Sequence, residues 1–500
     1  MLFSQAINGV ELLARSGADV EVTRAVLDSR RADGGTIFIA MRGGAADGNK
    51  FIAEAVARGA SAVVTDSPDA FATVQVTNPQ LVVGLCAHGR KALAGIAANL
   101  HGHPERKLKI TGITGTNGKT TTTFLLEAML AAAGRQTALL GTIENHLRGR
   151  VLPALHTTPE PDDLFEFLAE CAADGVTEVV MEVSSHALDQ RRIWGLPYDV
   201  AVFTNLTQDH LDYHGTMEAY WAAKRSLFTD DGTGAGAPRV AVVNIGDAYG
   251  RELADELANQ TVTEVVTYGS SAGDCFARNV DLSATGSRFT LVTPHGEMEI
   301  ATNLAGRVNV LNILAAAAAA QARGLQLEDI ASGVAQLQSV PGRFQQVDVG
   351  QPFAVVVDYA HTEDALRNLA RMARELVAAN GGRVITLFGC GGDRDKTKRP
   401  LMAAAAAESS DLIVLTSDNP RSEDPREILR DVEAGFPAGC GYVAIEDREQ
   451  AIAEAISRAR EGDIVLLAGK GHEKTQTTRD GVRPFDDAEV ARRALEALPA

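Results

Sequence analysis

Aromatic side chains make up only 5% of this 500-residue chain, and cysteine occurs five times. Cys86, Cys171, Cys275, Cys390 and Cys440 stand far apart, with no C-x-x-C pair. That spacing excludes a disulfide framework and a thiolate zinc site. No apolar run approaches the roughly 20 residues a membrane span requires. The nearest, at 313–320, reads as an alanine-rich helix. The first residues lack a basic segment followed by an apolar one, so no signal peptide and a cytoplasmic protein are expected. Positive charge is also short: 47 Lys and Arg face 65 Asp and Glu, for a net charge of −18. Such a surface repels phosphate backbones and anionic lipid, which argues against nucleic-acid or membrane partners. A phosphorylated ligand would have to be met by local devices.

The chain does have 45% hydrophobic and 22% charged residues, the balance of an ordinary globular protein. Runs rich in Val and Ile alternate with helical patterns, which predicts an α/β fold with mostly parallel sheets. At roughly 150 residues per domain, about three domains are expected. Polar, proline-containing stretches at 101–107 and 339–344 read as linkers, dividing the chain into 1–105, 106–338 and 339–500.

Gly112-Ile-Thr-Gly-Thr-Asn-Gly-Lys-Thr120 lies between an apolar strand pattern and a helical one. This geometry aims backbone N–H groups and a positive helix end at an anion. Lys119 would neutralise the outer phosphates and the Thr120 hydroxyl would meet Mg²⁺. Ile113 stands where the strict motif has its first glycine. Glu182 lies near the end of the apolar run VTEVVMEV, at a strand end where parallel sheets hold their ligands. A second run leads into Asn205, Asp209, His210, Asp212 and His214. The H-x-x-x-H spacing resembles some zinc sites, but Asp212 and Gly215 argue against a continuous helix, and oxygen-rich Mg²⁺ ligation fits better. Thr216 reads as a helix N-cap. Lys224 follows in that helix, and residue chemistry alone would turn it to solvent.

Toward the C-terminus, RVITLFGCGGDRDKTKRP reads as a buried strand, a glycine-rich loop and a proline-started helix. Arg394 occupies the third glycine position of a dinucleotide fingerprint, which argues against NAD. Asp418, Asn419, Pro420 and Arg421 follow a further strand, and Gly469 and Glu473 another. Three strand ends would thus converge on one pocket offering both guanidinium and carboxylate groups. Such a set suits an amino acid with ammonium and carboxylate at its far end.

Taken in order, TGTNGKTTT, HTTP, EVSSHAL, FTNLTQDHLDYHGTMEAYWAAK and DYAHT resemble the Mur ligases, over nearly the whole chain. Glu363 stands where that family often has proline after DYAHT. The resemblance implies three domains, with a central phosphate-loop ATPase and a Rossmann-like C-terminal domain. It implies ATP-dependent addition of meso-2,6-diaminopimelate to UDP-MurNAc-L-Ala-D-Glu, by a monomer. ATP would contact Gly115, Thr116, Asn117, Gly118, Lys119, Thr120, Thr121, Asn309, Arg343 and Asp358. Two Mg²⁺ would be held by Thr120, Glu182, His210 and a Lys224 carbamylated by CO₂, with Lys119, His210 and Lys224 catalytic. Leu27, Ser29, Gly44, Ala45, Ala46, Thr157, Thr158, Ser184, Gln190 and Arg192 would bind the UDP-muramyl dipeptide. Arg394, Asp418, Asn419, Pro420, Arg421, Gly469 and Glu473 would bind diaminopimelate, with DNPR marking that choice over L-lysine. The rivals are a folylpolyglutamate synthetase-like ligase and, from another class, a phosphate-loop ATPase switch.

Overall fold

A computed structural model describes residues 1–44, 46–378 and 381–498; Ala45, expected in the nucleotide-sugar loop, lies outside them. Two compact units emerge, Met1–Phe276 with Leu314–Gly333, and Ala277–Ile313 with Val334–Ala500.

The first unit holds two sheets. Strands β1 (Leu12–Ser16), β2 (Arg24–Val26), β3 (Thr36–Ala40), β4 (Ala62–Thr65) and β5 (Val82–Cys86) pair in the order β1-β5-β4-β3-β2. Only the β1–β5 pairing is antiparallel. Side chains alternate across a strand, so an uninterrupted apolar run stays buried only when both faces are covered. All five residues of β3 are buried: Ile37 and Ile39 pack with Phe3 and Leu93 on one face, Phe38 with Val63 and Ile52 on the other.

The central sheet contains β6 (Lys109–Thr114), β7 (Thr137–Leu140), β8 (Glu144–Leu147), β9 (Arg150–Pro153), β10 (Glu178–Glu182), β11 (Val200–Phe203), β12 (Val240–Asn244) and β13 (Glu264–Tyr268). Their order is β13-β12-β11-β6-β10-β7-β8-β9, parallel from β13 to β7 and antiparallel beyond. Because β6 lies between β10 and β11, its neighbours' connections leave to opposite sides and open a crevice at its C-terminal end. The helix Lys119–Ala132 starts there.

The second unit adds β14 (Phe276–Ser283), β15 (Gly286–Thr293) and β16 (Gly296–Thr302), a small sheet with β15 and β16 antiparallel. Reading the sequence as alternating strands and helices misses it. Residues of β14 alternate in burial because one face meets solvent, and short turns at 284–285 and 294–295 replace crossover helices. Then come β17 (Gln345–Gln346), β18 (Ala354–Asp358), β19 (Val384–Phe388), β20 (Leu412–Leu415), β21 (Tyr442–Ala444) and β22 (Ile464–Ala468), ordered β17-β18-β22-β19-β20-β21. All pairings except β17–β18 are parallel. Phe388, Leu415 and Leu466 face one core and Leu387, Val414 and Val465 the other. Burying each such side chain is worth roughly 1.5–3 kcal/mol. A hairpin, β23 (Thr475–Thr478) with β24 (Gly481–Pro484), completes the unit.

The helix expected to start at a proline runs Lys398–Ala407, so Pro400 is its third residue. Proline is tolerated there because a first-turn N–H has no helical acceptor in any case. Glu363 opens the helix Glu363–Val377 behind the N-cap Thr362 and pairs with Arg367 at 2.5 Å, so the family's proline is replaced without loss of the helix start.

Candidate active site

The phosphate loop connects β6 to the helix Lys119–Ala132. Gly115 has φ +149°, and a Cβ there would lie 1.9 Å from Thr204 Oγ1, so only glycine fits. Thr116, Asn117 and Gly118 complete the turn. Asn117 N–H donates to Asn205 Oδ1 at 2.9 Å, and Thr204 Oγ1 donates to the Asn117 carbonyl at 2.6 Å. Lys119 Nζ donates to the carbonyls of Gly115 and Thr116 at 3.0 and 2.9 Å. Thr120 Oγ1 donates to Glu182 Oε2 at 3.1 Å, and Thr121 follows, buried, in the first helical turn.

Glu182 is 0% exposed. Its carboxylate accepts from Thr120, and from the backbone N–H and hydroxyl of Thr142 at 2.8 and 3.1 Å. These donors are neutral, and no ion pair among the described residues offsets the charge. A buried carboxylate held by neutral groups is suited to a cation. Thr142 itself escaped the sequence reading, because a lone threonine after β7 carries no motif. Among the described residues no three His, Cys, Asp or Glu side chains form a ready-made metal cage. Mg²⁺ on nucleotide phosphates needs only one or two carboxylates.

Lys224 is the clearest departure from residue-level expectation: it is 1% exposed. Its helix Met217–Arg225, capped by Thr216, turns Tyr220, Trp221 and Lys224 inward. Lys224 Nζ donates to the Gly115 carbonyl at 2.7 Å and lies 4.6 Å from the Tyr220 ring centroid. Burial first, and then the Lys119 ammonium, holds the amine well below the ordinary lysine range.

His210 caps a single helical turn, Leu211–His214, from the left-handed region at φ 53°. Gly215 at φ 76° ends that turn, so the helix is interrupted as Asp212 and Gly215 suggest. The His210 and His214 rings both lie against His186, at centroid distances of 4.9 and 5.5 Å. Burial holds the His210 imidazole below its ordinary value, leaving it neutral and able to ligate.

Beside Glu182 lies a second group. Thr157 Oγ1 is 3.0 Å from Thr142 Oγ1. Thr158 Oγ1 donates to the Glu182 carbonyl at 2.9 Å and accepts from Ser184 N–H at 3.1 Å. Arg192 donates to the Thr158 carbonyl and, through two nitrogens, to Gln190 Oε1. Thr157, Thr158, Ser184, Gln190 and Arg192 thus share one wall. Glu160, unmarked in the sequence reading, takes Arg192 on one oxygen at 3.0 Å and Arg90 on the other at 2.8 Å. Leu27 and Ser29 follow β2, while Gly44 and Ala46 follow its parallel neighbour β3. Ser29 Oγ donates to Glu54 Oε2 at 2.9 Å.

The second unit gathers the remaining positions. Asp358 accepts from the N–H groups of Phe344 and Ala360, and burial raises its carboxyl despite Arg343 nearby. Arg343 lies 5.0 Å from the Tyr359 ring centroid. Asn309 is turned into its own helix start, donating to the Ala305 carbonyl at 2.8 Å, and no described contact joins it to Asp358.

At the C-terminal ends of β19, β20 and β22 the glycine-rich, DNPR and GKGHE loops meet. A Cβ on Gly391 would lie 2.9 Å from Arg421 Nη1 and 3.8 Å from Arg394 Cγ, so the two arginines flank that glycine. Gly469, at φ +113°, leaves room for Asp418, whose Oδ2 would lie 2.8 Å from an added Cβ. Pro420 precedes Arg421, which sits in the left-handed region at φ 52° and whose N–H donates to the Thr477 carbonyl at 3.0 Å. Asn419 Nδ2 donates to Glu473 Oε2 at 2.8 Å. Two buried arginines brace these loops. Arg399 donates to the Gly391 carbonyl and to Glu423, whose carboxyl Arg399 and Lys396 hold down to about 2. Arg448 pairs with Asp487 and donates to the Ser417 and Ala468 carbonyls, at the roots of two loops.

A phosphate loop at a parallel-sheet crevice, with a buried carboxylate facing its threonine, defines a nucleotide-dependent phosphate-loop enzyme. Comparison with known proteins narrows this class. Residues 21–100 match "Mur ligase family, catalytic domain", 113–320 "Mur ligase middle domain" and 342–471 "Mur ligase, glutamate ligase domain". A UDP-N-acetylmuramoyl-L-alanyl-D-glutamate–2,6-diaminopimelate ligase of Solibacter usitatus is 50% identical over 99% of this chain and 98% of its own length. A solved structure of an enzyme of that description is 34% identical, with TM-score 0.68 over 95% of both chains. A Mycobacterium tuberculosis folylpolyglutamate synthase shares the fold, at 19% identity and TM-score 0.61, over 81% of this chain and 94% of its own. The chain belongs to the Mur ligase family. It is an ATP-dependent amide ligase.

Proposed function

We propose that the enzyme joins an amine of meso-diaminopimelate to the D-glutamyl γ-carboxylate of UDP-MurNAc-L-Ala-D-Glu, in the synthesis of peptidoglycan precursors. Three segments, 1–105, 106–338 and 339–500, serve the nucleotide-sugar end, ATP and the amino acid. Leu27, Ser29 and the loop of Gly44 and Ala46 take the uridine diphosphate end, and the Thr157–Arg192 wall takes the muramyl dipeptide.

A carboxylate is a poor electrophile, so its oxygen first attacks the γ-phosphorus of ATP and ADP leaves. Lys119 and the loop amides offset the charge that gathers on the transferring phosphoryl group. The amine then attacks the acyl carbon and loses a proton, and phosphate departs. Thr120, Glu182, His210 and a modified Lys224 would hold Mg²⁺, which neutralises phosphate charge. Carbamylation requires a neutral amine to attack CO₂, forming an N–C bond and releasing a proton. The burial of Lys224 beside Lys119 favours that neutral form. Asn309, Arg343 and Asp358 complete the ATP contacts.

The observation that supports the substrate reading is that Arg394 and Arg421 flank Gly391, with Asp418 against Gly469 and Glu473 against Asn419 at the neighbouring strand ends. A guanidinium can bind the distal carboxylate of diaminopimelate through two hydrogen bonds, and L-lysine has no such group. Product mass after incubation with ATP, the UDP-linked acid and meso-diaminopimelate tests this. The expected gain is one diaminopimelate less one water, with phosphate released only when acid and amine are both present. Hydrolysis of ATP without amino acid would favour the switch. Loss of a ¹³CO₂-derived carbamate signal in Lys224→Ala tests the lysine separately.

A further inference from the structure

Lys470 stands between Gly469 and Glu473, yet its ammonium does not face the cleft: the side chain is 0% exposed. Nζ donates to the Thr475 carbonyl at 2.7 Å, to Glu473 Oε2 at 3.0 Å and to Asn419 Oδ1 at 3.3 Å. All three ammonium protons are thereby used. Asn419 is held at both ends of its amide, since its Oδ1 also accepts from Thr477 N–H at 2.9 Å and one Nδ2 proton goes to Glu473 Oε2. Both lone pairs of the amide oxygen are filled from within the protein. Glu473 differs: two donors occupy Oε2, while the side chain remains 32% exposed. Oε1 is the oxygen left for a ligand.

We propose that Lys470 is a positioning residue for the incoming amino acid. It fixes Asn419 and Glu473 so that Glu473 Oε1 receives the substrate ammonium. This rests on the reading of these loops as the amino-acid pocket. Electrostatics agrees with the geometry. Burial alone would raise the Glu473 carboxyl, but Lys470, with the Asn419 amide and His472, offsets this and holds it below the ordinary range. The other charged or titratable groups acting on or sensing Glu473 are His472, Tyr359 and Arg448, with Asp418 nearby.

The test is Lys470→Met, Glu473→Gln and the double variant in the full chain. For Lys470→Met, KM for meso-diaminopimelate should rise about 30- to 100-fold, the cost of losing a charge-assisted bond that orients a ligand group. KM for ATP and for the UDP-linked acid should stay within about threefold, since neither substrate depends on this bond. The acidic limb of kcat/KM for diaminopimelate should move to higher pH, because Glu473 loses the cation that keeps it ionised. In the Glu473→Gln background, Lys470→Met should add under about threefold, as expected for residues acting as one unit. Independent additive effects, an unchanged KM for diaminopimelate or a parallel rise in every KM would overturn the proposal. Should Lys470→Met not fold, the double variant, which buries no unpaired charge, is compared with Glu473→Gln alone. Equal KM supports the proposal and a further rise of about tenfold refutes it. A wild-type enzyme that does not turn over diaminopimelate would instead refute the pocket reading.

Discussion

The phosphate loop and the loops after β19, β20 and β22 both gather charge at parallel strand ends, but they treat it differently. Around the phosphate loop, Lys119 and Lys224 both donate to the Gly115 carbonyl, and Glu182 is met only by neutral donors. Two lysines crowd one carbonyl and, among the described residues, the carboxylate pairs with no cation, an arrangement suited to phosphate and metal. Around the C-terminal strand-end loops three buried cations already have partners: Arg399 with Glu423, Arg448 with Asp487, Lys470 with Glu473. On the proposed reading, the first site would keep its charges for chemistry and the second would use them as framework. Truncation at the first should therefore lower kcat, and truncation at the second should change KM, selectivity or stability.

The largest effect is expected at the phosphate loop. Lys119→Ala should reduce amino-acid-dependent phosphate release about 1000-fold at saturating substrates, because the transferring phosphoryl group loses its fixed cation. Lys224→Ala should fall by about 100-fold or more and recover in part with added short-chain carboxylates. A Lys224→Ala enzyme with wild-type turnover would remove that residue from the chemistry. Next, Arg421→Ala should cut the preference for meso-diaminopimelate over L-lysine by about 100-fold, read as the ratio of kcat/KM values, with kcat for ATP use less affected. A kcat collapse without loss of selectivity would place Arg421 with the phosphate-loop group instead.

Glu160→Gln should have a smaller effect. The carboxylate bridges Arg90 and Arg192, so its neutralisation should raise KM for the UDP-linked acid about tenfold and leave that for the amino acid unchanged. Smallest is a stability effect at His146, whose ring lies 2.6 Å from Glu127 and 3.0 Å from Glu144. Burial opposes the charge, but the two carboxylates win and the imidazole is pushed up to about 9. A raised pKa contributes stability that is complete below the unfolded value of about 6.5. It is lost as pH rises through about 9. His146→Gln should therefore lower Tm at pH 6.5, and the gap to wild type should close by pH 10. A constant gap across that range would contradict the ion-pair account.

The same contrast explains what could be read from the residues. Phosphate binding depends on backbone geometry that glycine spacing encodes, so the Gly112–Thr120 segment and the strand-end Glu182 were legible. Lys224 was not, because its inward turn comes from Tyr220 and Trp221 packing on the same helix, a tertiary fact. Only likeness to a family singled it out. Thr142, Glu160, Arg399, Arg448 and Lys470 carry no local pattern, since each reaches at least one partner distant in sequence. Asn419 was marked for its place in DNPR, but its hydrogen bonds to Lys470 and Glu473 could not be read from that motif. The β14–β16 sheet was missed because its strands alternate polar and apolar residues within a chain otherwise dominated by buried parallel strands.

The most direct test of the account is phosphate release with UDP-MurNAc-L-Ala-D-Glu against a panel of amino acids that includes meso-diaminopimelate and L-lysine. The account predicts a kcat/KM for meso-diaminopimelate about 100-fold above that for L-lysine, and no release when the UDP-linked acid is omitted. Equal values for the two amino acids, or release that needs neither substrate, would contradict it.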